Sequence, residues 1–161
     1  MPTAAPGEPS PGMSETFMPA SSRRPTVAAM TISPQLNALS VVVQDMGRSM
    51  TFYRACGLAV PDNAHDESHV DVALTDGFRI MFDTVEVVLA TEPQWTAPRG
   101  GHRMALAFQC SAPADVDAVH ARLVAAGHRS QLAPFDAFWG QRYAVLLDPD
   151  ENPVDFYAAL V

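Results

Sequence analysis

The sequence predicts an α+β fold built from two tandem β-α-β-β-β modules. Two observations predict this fold. In each half of the chain, an alternating apolar strand precedes a helix with an apolar stripe and a terminal glycine, and the copies lie about 70 residues apart. A hairpin at residues 142–157 then closes the second copy, with turn-forming residues between two apolar runs.

The first module begins with an alternating strand at residues 36–44, and Asp45 is placed to cap the helix that follows. The apolar stripe of this helix consists of Met46, Met50, Phe52 and Tyr53, and Gly57 fits the position after its last turn. Three further strands are predicted at residues 58–61, 69–74 and 78–82, the last two joined by a turn at Asp76-Gly77. The apolar run at residues 85–90 either prolongs the last strand or begins a linker.

The second module repeats this pattern after a loop at residues 92–101, which is rich in proline and glycine. A strand at residues 104–110 leads into a helix that starts near Pro113 and ends before Gly127. The buried stripe of this helix is Val116, Val119 and Leu123. Residues 128–132 predict a short strand, residues 134–139 an aromatic loop, and the closing hairpin turns at residues 148–152.

Composition defines the boundaries and excludes some partners. Residues 1–34 contain seven of the fourteen prolines and no amphipathic period, which is typical of a disordered tail. We therefore predict one folded domain at residues 35–161, with modules at about 35–92 and 102–160. A net charge of −8 disfavours nucleic acid and anionic membrane surfaces, and no apolar run approaches the roughly 20 residues of a membrane span.

The two cysteines, Cys56 and Cys110, are predicted to be small buried residues, although sequence alone does not exclude a bridge between them. Nothing else in the sequence indicates an oxidising compartment. The apolar stretch after Arg23-Arg24 is too short for an export signal. We therefore predict a cytoplasmic protein.

The doubled unit carries motifs that resemble a known family. These are the opening strand with Asp45, the pair Phe52-Tyr53 in the next helix, and the stretch WGQRYAVLLDPDENPVDF at residues 139–156. The chain from about residue 35 to 160 resembles the vicinal oxygen chelate superfamily, which includes glyoxalase I, extradiol dioxygenases, fosfomycin-modifying enzymes and bleomycin resistance proteins. The Trp139-Gly140 pair is most similar to the bleomycin-resistance and glyoxalase-like subset. One departure is Glu151, where the family usually has glycine.

The resemblance implies that the two modules form a curved mixed sheet with a cleft. It also implies a divalent metal in this cleft, held by His, Gln or Glu at four strand positions. Those positions fall at Ala38, Met81, Ala105 and Asp155. Alanine has no donor atom, the methionine thioether is a soft ligand unsuited to hard divalent ions, and one carboxylate cannot hold a catalytic ion. We therefore expect no metal, no other cofactor and no family-type catalytic residue; a displaced set of His69, Asp83, His102 and Asp155 is the alternative.

The resemblance also defines a candidate ligand site. The predicted ligand-binding residues are Ala38, Ser40, Met81, Asp83, Ala105, Gln109, Trp139, Asp155 and Tyr157. Small and apolar side chains leave room for a ligand, and a few polar groups orient it. Asp83 and Asp155 favour a cationic ligand unless Arg79 or Arg142 neutralises them. Trp139 either stacks on a planar ligand or anchors its loop or a dimer contact.

Three classes of function remain open at this point. The leading hypothesis is a protein that binds or sequesters a small, antibiotic-like, cationic or aromatic molecule in a metal-free cleft, as in antibiotic resistance. The alternative is a glyoxalase-type lyase or isomerase, or a dioxygenase, which uses a divalent metal and a non-standard ligand set. The third is a relic of the fold that acts through protein contacts. The resemblance further implies a homodimer, to which the apolar run at residues 85–90 is a candidate contact.

Overall fold

The computed structural model describes residues 35–75 and 77–160, and two β-sheets with helices against them make up this part of the chain. The first sheet contains β1 (Ala38–Val43), β2 (His69–Ala73) and β3 (Arg79–Thr84). The second contains β4 (Leu106–Gln109), β5 (Ser130–Ala137), β6 (Gln141–Leu147) and β7 (Pro153–Ala159). The helices are α1 (Met46–Cys56), α2 (Val85–Thr91) and α3 (Pro113–Ala125), with a 3₁₀ turn at Ala64–Asp66. The predicted α+β class is confirmed.

The two sheets follow one topological rule. The strand order is β1-β3-β2 in the first sheet and β4-β7-β6-β5 in the second. In each sheet the first and last strands of the module pair in parallel, and the remaining neighbours pair antiparallel. This shared arrangement is the structural form of the repeat seen in the sequence.

The first module has one strand fewer than predicted. Residues 58–61 form no strand, because their backbone groups bond locally: Leu58 N–H donates to the Tyr53 carbonyl at 3.0 Å and Val60 N–H to the Leu58 carbonyl at 2.9 Å. The side chain of Val60 is still buried. The sequence pattern correctly marked Val60 as apolar and buried, but it did not predict the turn in which Val60 lies.

Two other predicted elements are wrong in type or extent. The run at residues 85–90 is neither a strand nor a linker but lies in helix α2, whose valines are half-buried beside β1 and β3. The short strand and aromatic loop predicted at residues 128–132 and 134–139 are largely one strand, β5. Pro134 is tolerated there because β5 is an edge strand and its register shifts between Leu132 and Phe135.

Helix α1 has the predicted ends and the predicted buried face. At the first end, the Asp45 carboxylate accepts a hydrogen bond from the Arg48 N–H at 2.9 Å. At the other end, Gly57 adopts φ 107°, a conformation that is unfavourable for residues with a side chain. The predicted stripe, Met46, Met50, Phe52 and Tyr53, is buried. Val116 and Leu123 of α3 are buried in the same core cluster, whereas Val119 is half-buried.

The turn at residues 148–152 attaches the second module to the first. Asp148 is only 4% exposed and accepts hydrogen bonds from the Tyr53 hydroxyl at 2.8 Å and from the Asn152 N–H at 2.7 Å. Asp150 accepts the Gln44 N–H at 3.1 Å, just beyond β1. The DPDEN segment is therefore a structural connection between modules as well as a turn.

Two predicted features lie outside the described residues: the tail at residues 1–34 and Asp76 of the predicted turn.

The two cysteines lie within the described part of the chain. Cys56 is buried and Cys110 half-buried, and both are free thiols. Burial raises the pKa of Cys56 to about 12. No helix among residues 35–75 and 77–160 combines the length and apolar character needed to cross a membrane.

Candidate ligand-binding site

Each sheet has one face against the core and one open face. Alternation along the strands gives the open face of the first sheet Ala38 and Ser40 from β1 and Met81 and Asp83 from β3. The open face of the second sheet receives Gln109, Asp155 and Tyr157, of which Gln109 and Tyr157 are direct neighbours in the β4–β7 register. The predicted site residues are therefore divided between two faces, with Ala105 in the segment before β4 and Trp139 between β5 and β6.

Asp83 is the centre of a polar network on the first sheet. Its carboxylate accepts the Ser40 hydroxyl at 3.1 Å, and the other oxygen lies 2.7 Å from Nδ1 of His69. The hydrogen bond to Asp83 is the main reason that the pKa of His69 is raised above its ordinary value. Asp71 adds to this effect, since its carboxylate lies 3.8 Å from Nε2 of His69. The network holds an imidazole in a fixed orientation on an accessible face.

Asp155 has a different environment on the second sheet. The Tyr143 hydroxyl donates to its carboxylate at 2.5 Å. Burial, reinforced by this hydrogen bond, raises the pKa of Tyr143 to about 12, so the phenol stays protonated at neutral pH. The rings of Tyr143 and Tyr157, which are opposite each other in the β6–β7 register, are stacked with centroids 6.4 Å apart.

Trp139 belongs to the same aromatic cluster. Its ring lies edge-on to Tyr143 at 5.5 Å and to Phe135 at 6.3 Å, and its indole N–H donates to Gln141 at 2.8 Å. Trp139 is 50% exposed, so half of its surface remains accessible. The structure thus joins Trp139, Asp155 and Tyr157 through Tyr143, a residue that sequence reasoning did not select. Its position opposite Tyr157 in the predicted hairpin was the signal that would have identified it.

Two cavities lie beside these faces. One, of about 530 Å³, is lined by Tyr143, Val145, Pro153, Asp155, Gln131 and the segment from Gly101 to Ala105. The other, of about 600 Å³, is lined by β1 residues including Ser40, by Trp95, and by the turn residues Asp150, Glu151 and Asn152. His102, Met104 and Ala105 line both cavities. Their volumes are in the range of small-molecule sites.

Neither aspartate of the open faces is neutralised by the arginines considered from sequence. Arg79 bonds to Asp71 at 3.1 Å, and Arg142 bonds to Asp117 at 2.7 Å and to Asp136 at 3.0 Å. Arg103 lines the same cavity as Asp155, on the wall formed by residues 101–105. The lining of this cavity therefore includes both an acidic and a basic residue.

The residues present do not fit the metal site that the resemblance implies. Ala38, Met81 and Ala105 supply no hard donor atom, and the Asp155 carboxylate accepts a hydrogen bond from the Tyr143 hydroxyl. Of the alternative ligands, His69 and Asp83 are in contact on the first sheet, whereas Asp155 and His102 line the cavity of about 530 Å³. No group of three or more His, Cys, Asp or Glu side chains within the described part of the chain is placed to hold a metal ion.

Solved structures with a similar fold are numerous. A glyoxalase/bleomycin resistance protein/dioxygenase family enzyme from Burkholderia phytofirmans PsJN aligns with a TM-score of 0.67 at 21% identity, covering 79% of this chain and 100% of that chain. A glyoxalase-related enzyme from Fulvimarina pelagi aligns with a TM-score of 0.65 at 22% identity, covering 77% and 87%. The hypothetical protein SA1046 from S. aureus gives 0.65 at 16% identity, covering 80% and 95%. At these identities the likeness concerns the fold.

The search of curated proteins found no match. The family comparison is more informative. A model of the Glyoxalase/Bleomycin resistance protein/Dioxygenase superfamily matches residues 35–156, which is most of the chain. This match confirms the resemblance to the vicinal oxygen chelate superfamily. The chain belongs to the Glyoxalase/Bleomycin resistance protein/Dioxygenase superfamily.

Proposed function

We propose that the protein binds a small planar molecule with a cationic or hydrogen-bond-donating group in the cavity beside Asp155, without a metal ion. The observation that carries the proposal is the aromatic cluster around one carboxylate: Tyr143, Tyr157 and Trp139 lie together, and Tyr143 donates to Asp155. Such a site sequesters an antibiotic-like compound by stacking and charge.

Stacking supplies the apolar part of the recognition. Aromatic side chains provide large rigid surfaces at a small cost in conformational entropy. Half of Trp139 is exposed, so a planar ligand can cover it without displacing a core side chain. The cavity of about 530 Å³ is lined by Tyr143 and Asp155 but not by Trp139 or Tyr157, so Tyr143 links the aromatic cluster to it. Its volume is large enough for the remainder of such a ligand.

Charge supplies the polar part. Asp155 is half-buried, and its described partner is a neutral phenol rather than a cation. A cationic ligand that replaces water at this carboxylate forms a charge-assisted hydrogen bond. The net charge of −8 attracts cations from a distance, and Arg103, which lines the same cavity, favours a ligand that also carries an acceptor.

Proflavine, a planar aromatic cation, and acridone, a neutral planar analogue, are suitable probes because both are fluorescent. Trp139→Ala is expected to weaken proflavine binding by about 1 to 3 kcal/mol, the range of an aromatic anchor. Asp155→Asn is expected to weaken proflavine more than acridone, and the difference is expected to shrink as salt rises. Trp95→Ala is the matched control, because Trp95 lines the other cavity.

Urea unfolding of the same variants separates binding from folding. If Trp139→Ala and Asp155→Asn destabilise the protein while their folded fraction binds proflavine normally, both residues are structural. If Trp95→Ala weakens binding and the other two variants do not, the ligand occupies the neighbouring cavity instead.

A second candidate function is a lyase, isomerase or dioxygenase activity with a displaced metal set. The observation that favours it is the contact between His69 and Asp83, two of the four alternative ligands. Elemental analysis after dialysis without chelator discriminates the two functions. The binding proposal expects no stoichiometric divalent metal; one tightly bound ion per chain that is lost in a His69→Ala variant would favour the enzyme.

A further inference from the structure

The free edge of β1 has unpaired backbone groups. Strand β1 pairs with β3 on one side, and no strand of the described chain pairs with its other side. In the parallel ladder, Arg79 N–H donates to the Asn37 carbonyl at 3.1 Å, so the odd-numbered residues of β1 bond to β3. The N–H and carbonyl groups of Ser40 and Val42 therefore point away from the sheet.

The residue that follows β1 confirms this direction. Gln44 is also even-numbered, and its N–H donates to the Asp150 carboxylate at 3.1 Å, outside the sheet. Asp150 thus lies at the end of the same edge. Its hydrogen bond with Gln44 shows that outward-facing backbone groups on this edge can bind a polar group placed beside them. Ser40 and Val42 lie further along this edge, toward the start of the strand.

The other edge strands carry features that oppose strand addition. The outer edge of β2 is bordered by His69 and Asp71, β5 contains Pro134 and two register shifts, and β4 has only four residues. Charged residues, proline, bulges and short length are the usual protection of an exposed edge. Strand β1 has six residues, none of them charged, and lacks all four features.

The cavity of about 600 Å³ runs along this unprotected edge. Four consecutive β1 residues, Leu39 to Val42, line it, although a side-chain pocket on one face would contact only alternate residues. The apolar part of its lining outside β1 includes Trp95, Met104 and Leu106, the last at the start of β4. The opening is therefore a groove beside a strand edge.

The charges of this groove select the occupant. Its lining includes Asp150, Glu151 and His102, but no lysine or arginine. Glu151 is already paired with Arg129, whereas Asp150 accepts hydrogen bonds from two uncharged groups, the Gln44 N–H and the Ser49 hydroxyl. Asp150 is therefore the carboxylate of the groove that a cation can pair with. An extended chain in the groove would find backbone partners along β1, an apolar wall at Trp95, and negative charge at the turn. Strand addition of this kind takes its affinity from main-chain hydrogen bonds and its specificity from the flanking walls.

We infer that the groove binds an extended, lysine-bearing peptide segment, which adds as a strand to the free edge of β1. The inference goes beyond the proposed aromatic site and does not rest on it. The peptide donates and accepts hydrogen bonds at Ser40 and Val42, and its lysine lies near Asp150.

The probe is the blocked pentapeptide acetyl-Val-Lys-Val-Lys-Val-amide, together with two N-methylated forms, one methylated on the valine nitrogens and one on the lysine nitrogens. Because alternate N–H groups of an extended peptide face opposite edges, only one form loses the donors that face β1. That form is expected to bind at least about tenfold more weakly than the parent peptide, while the other retains most of the affinity. A peptide with glutamate in place of lysine is expected not to bind.

Amide hydrogen exchange measured by NMR locates the peptide. In the free protein the Leu39 and Val41 amides are expected to exchange slowly and those of Ser40 and Val42 rapidly, because only the former bond to β3. Saturating peptide is expected to slow exchange at Ser40 and Val42. Equal loss of affinity in both methylated forms, or no change at these two amides with millimolar peptide, would overturn the inference.

Two outcomes identify other occupants and also overturn it. If Ser40 and Val42 are already protected in the free protein and sedimentation shows a dimer, a second copy of the chain covers the edge. If the peptide protects β2 amides instead, the groove is not the docking site. Proflavine binding to the same sample tests the aromatic site separately, so failure of one proposal is distinguishable from failure of the other.

Discussion

Replacing Tyr53 by phenylalanine is expected to cost about 2 kcal/mol of folding free energy, whereas the same replacement at Tyr143 is expected to cost less than about 1 kcal/mol. Both hydroxyls donate to an aspartate, at 2.8 Å to Asp148 and at 2.5 Å to Asp155. The two pairs differ in burial. Tyr53 is 1% and Asp148 4% exposed, while Tyr143 and Asp155 are half-buried on an open face.

The magnitude follows from what replaces the lost hydroxyl. A hydrogen bond to a charged group contributes about 1.5 to 3 kcal/mol, and water cannot replace the Tyr53 hydroxyl at a buried carboxylate. Asp148 keeps three other donors, the N–H groups of Asp150 and Asn152 and the Asn152 side-chain amide, so the loss stays near the middle of that range. Water reaches Asp155 and replaces most of what Tyr143→Phe removes.

Urea unfolding measures both variants. With a slope of about 2 kcal/mol per molar urea, Tyr53→Phe lowers the midpoint by about 1 M at an unchanged slope. Asp148→Ala, which leaves the buried Tyr53 hydroxyl and the other donors without an acceptor, is expected to cost more than about 3 kcal/mol. An equal loss of stability at Tyr53 and Tyr143, or none at Tyr53, would refute the assignment of Asp148 as a structural connection and Asp155 as a site residue.

Three further predictions concern a turn, a titration and the assembly. Glu151→Gly is expected to raise stability by about 1 kcal/mol in urea unfolding, because Glu151 adopts φ 69° and its exposed ion pair with Arg129 contributes little. Asp83→Asn is expected to lower the pKa of His69 toward 6.5 in an NMR titration. Because Asp83 raises the pKa of His69 in the folded state, the His69–Asp83 contact stabilises the fold below about pH 6.5, and this stabilisation is lost as pH rises through the folded pKa. The stability difference between wild type and Asp83→Asn is therefore expected to shrink from about pH 6 to about pH 8. The chain is expected to sediment as a homodimer at micromolar concentration, and Leu89→Glu, on the exposed side of α2, is expected to shift it toward monomer without loss of folded stability.

Local sequence patterns determined the elements whose signals are local. Helix α1 begins at a capping aspartate, Asp45, and ends at Gly57 because both ends satisfy backbone groups within one turn of the chain. Period-2 alternation predicted that Met81 and Asp83 share a face, because side chains alternate in any regular strand, and the family resemblance assigned Ser40 to the same open face. The repeat of these patterns predicted the α+β class, and the motifs at Asp45, Phe52-Tyr53 and residues 139–156 added the resemblance to the superfamily.

Tertiary contacts decided the elements whose local signals were ambiguous. The valine-rich run at residues 85–91 is compatible with a strand by propensity, but it forms helix α2 and packs against β1 and β3. Residues 58–61 have strand-like composition, yet the backbone bonds locally and leaves β2 at the edge of its sheet. Strand formation depends on a partner that sequence periodicity does not supply.

The partners of the polar side chains were also decided only by the fold. Sequence reasoning offered Arg79 and Arg142 as partners of Asp83 and Asp155, but the register aligns Asp83 with His69, and Tyr143 reaches Asp155 across the β6–β7 pair. Likewise, the sequence indicated that DPDEN forms a turn, but it did not indicate that Asp148 is buried and hydrogen-bonded to Tyr53 of α1. A hydrogen bond has a range of about 3 Å, so its partners follow from strand register and packing, which join residues far apart in the chain.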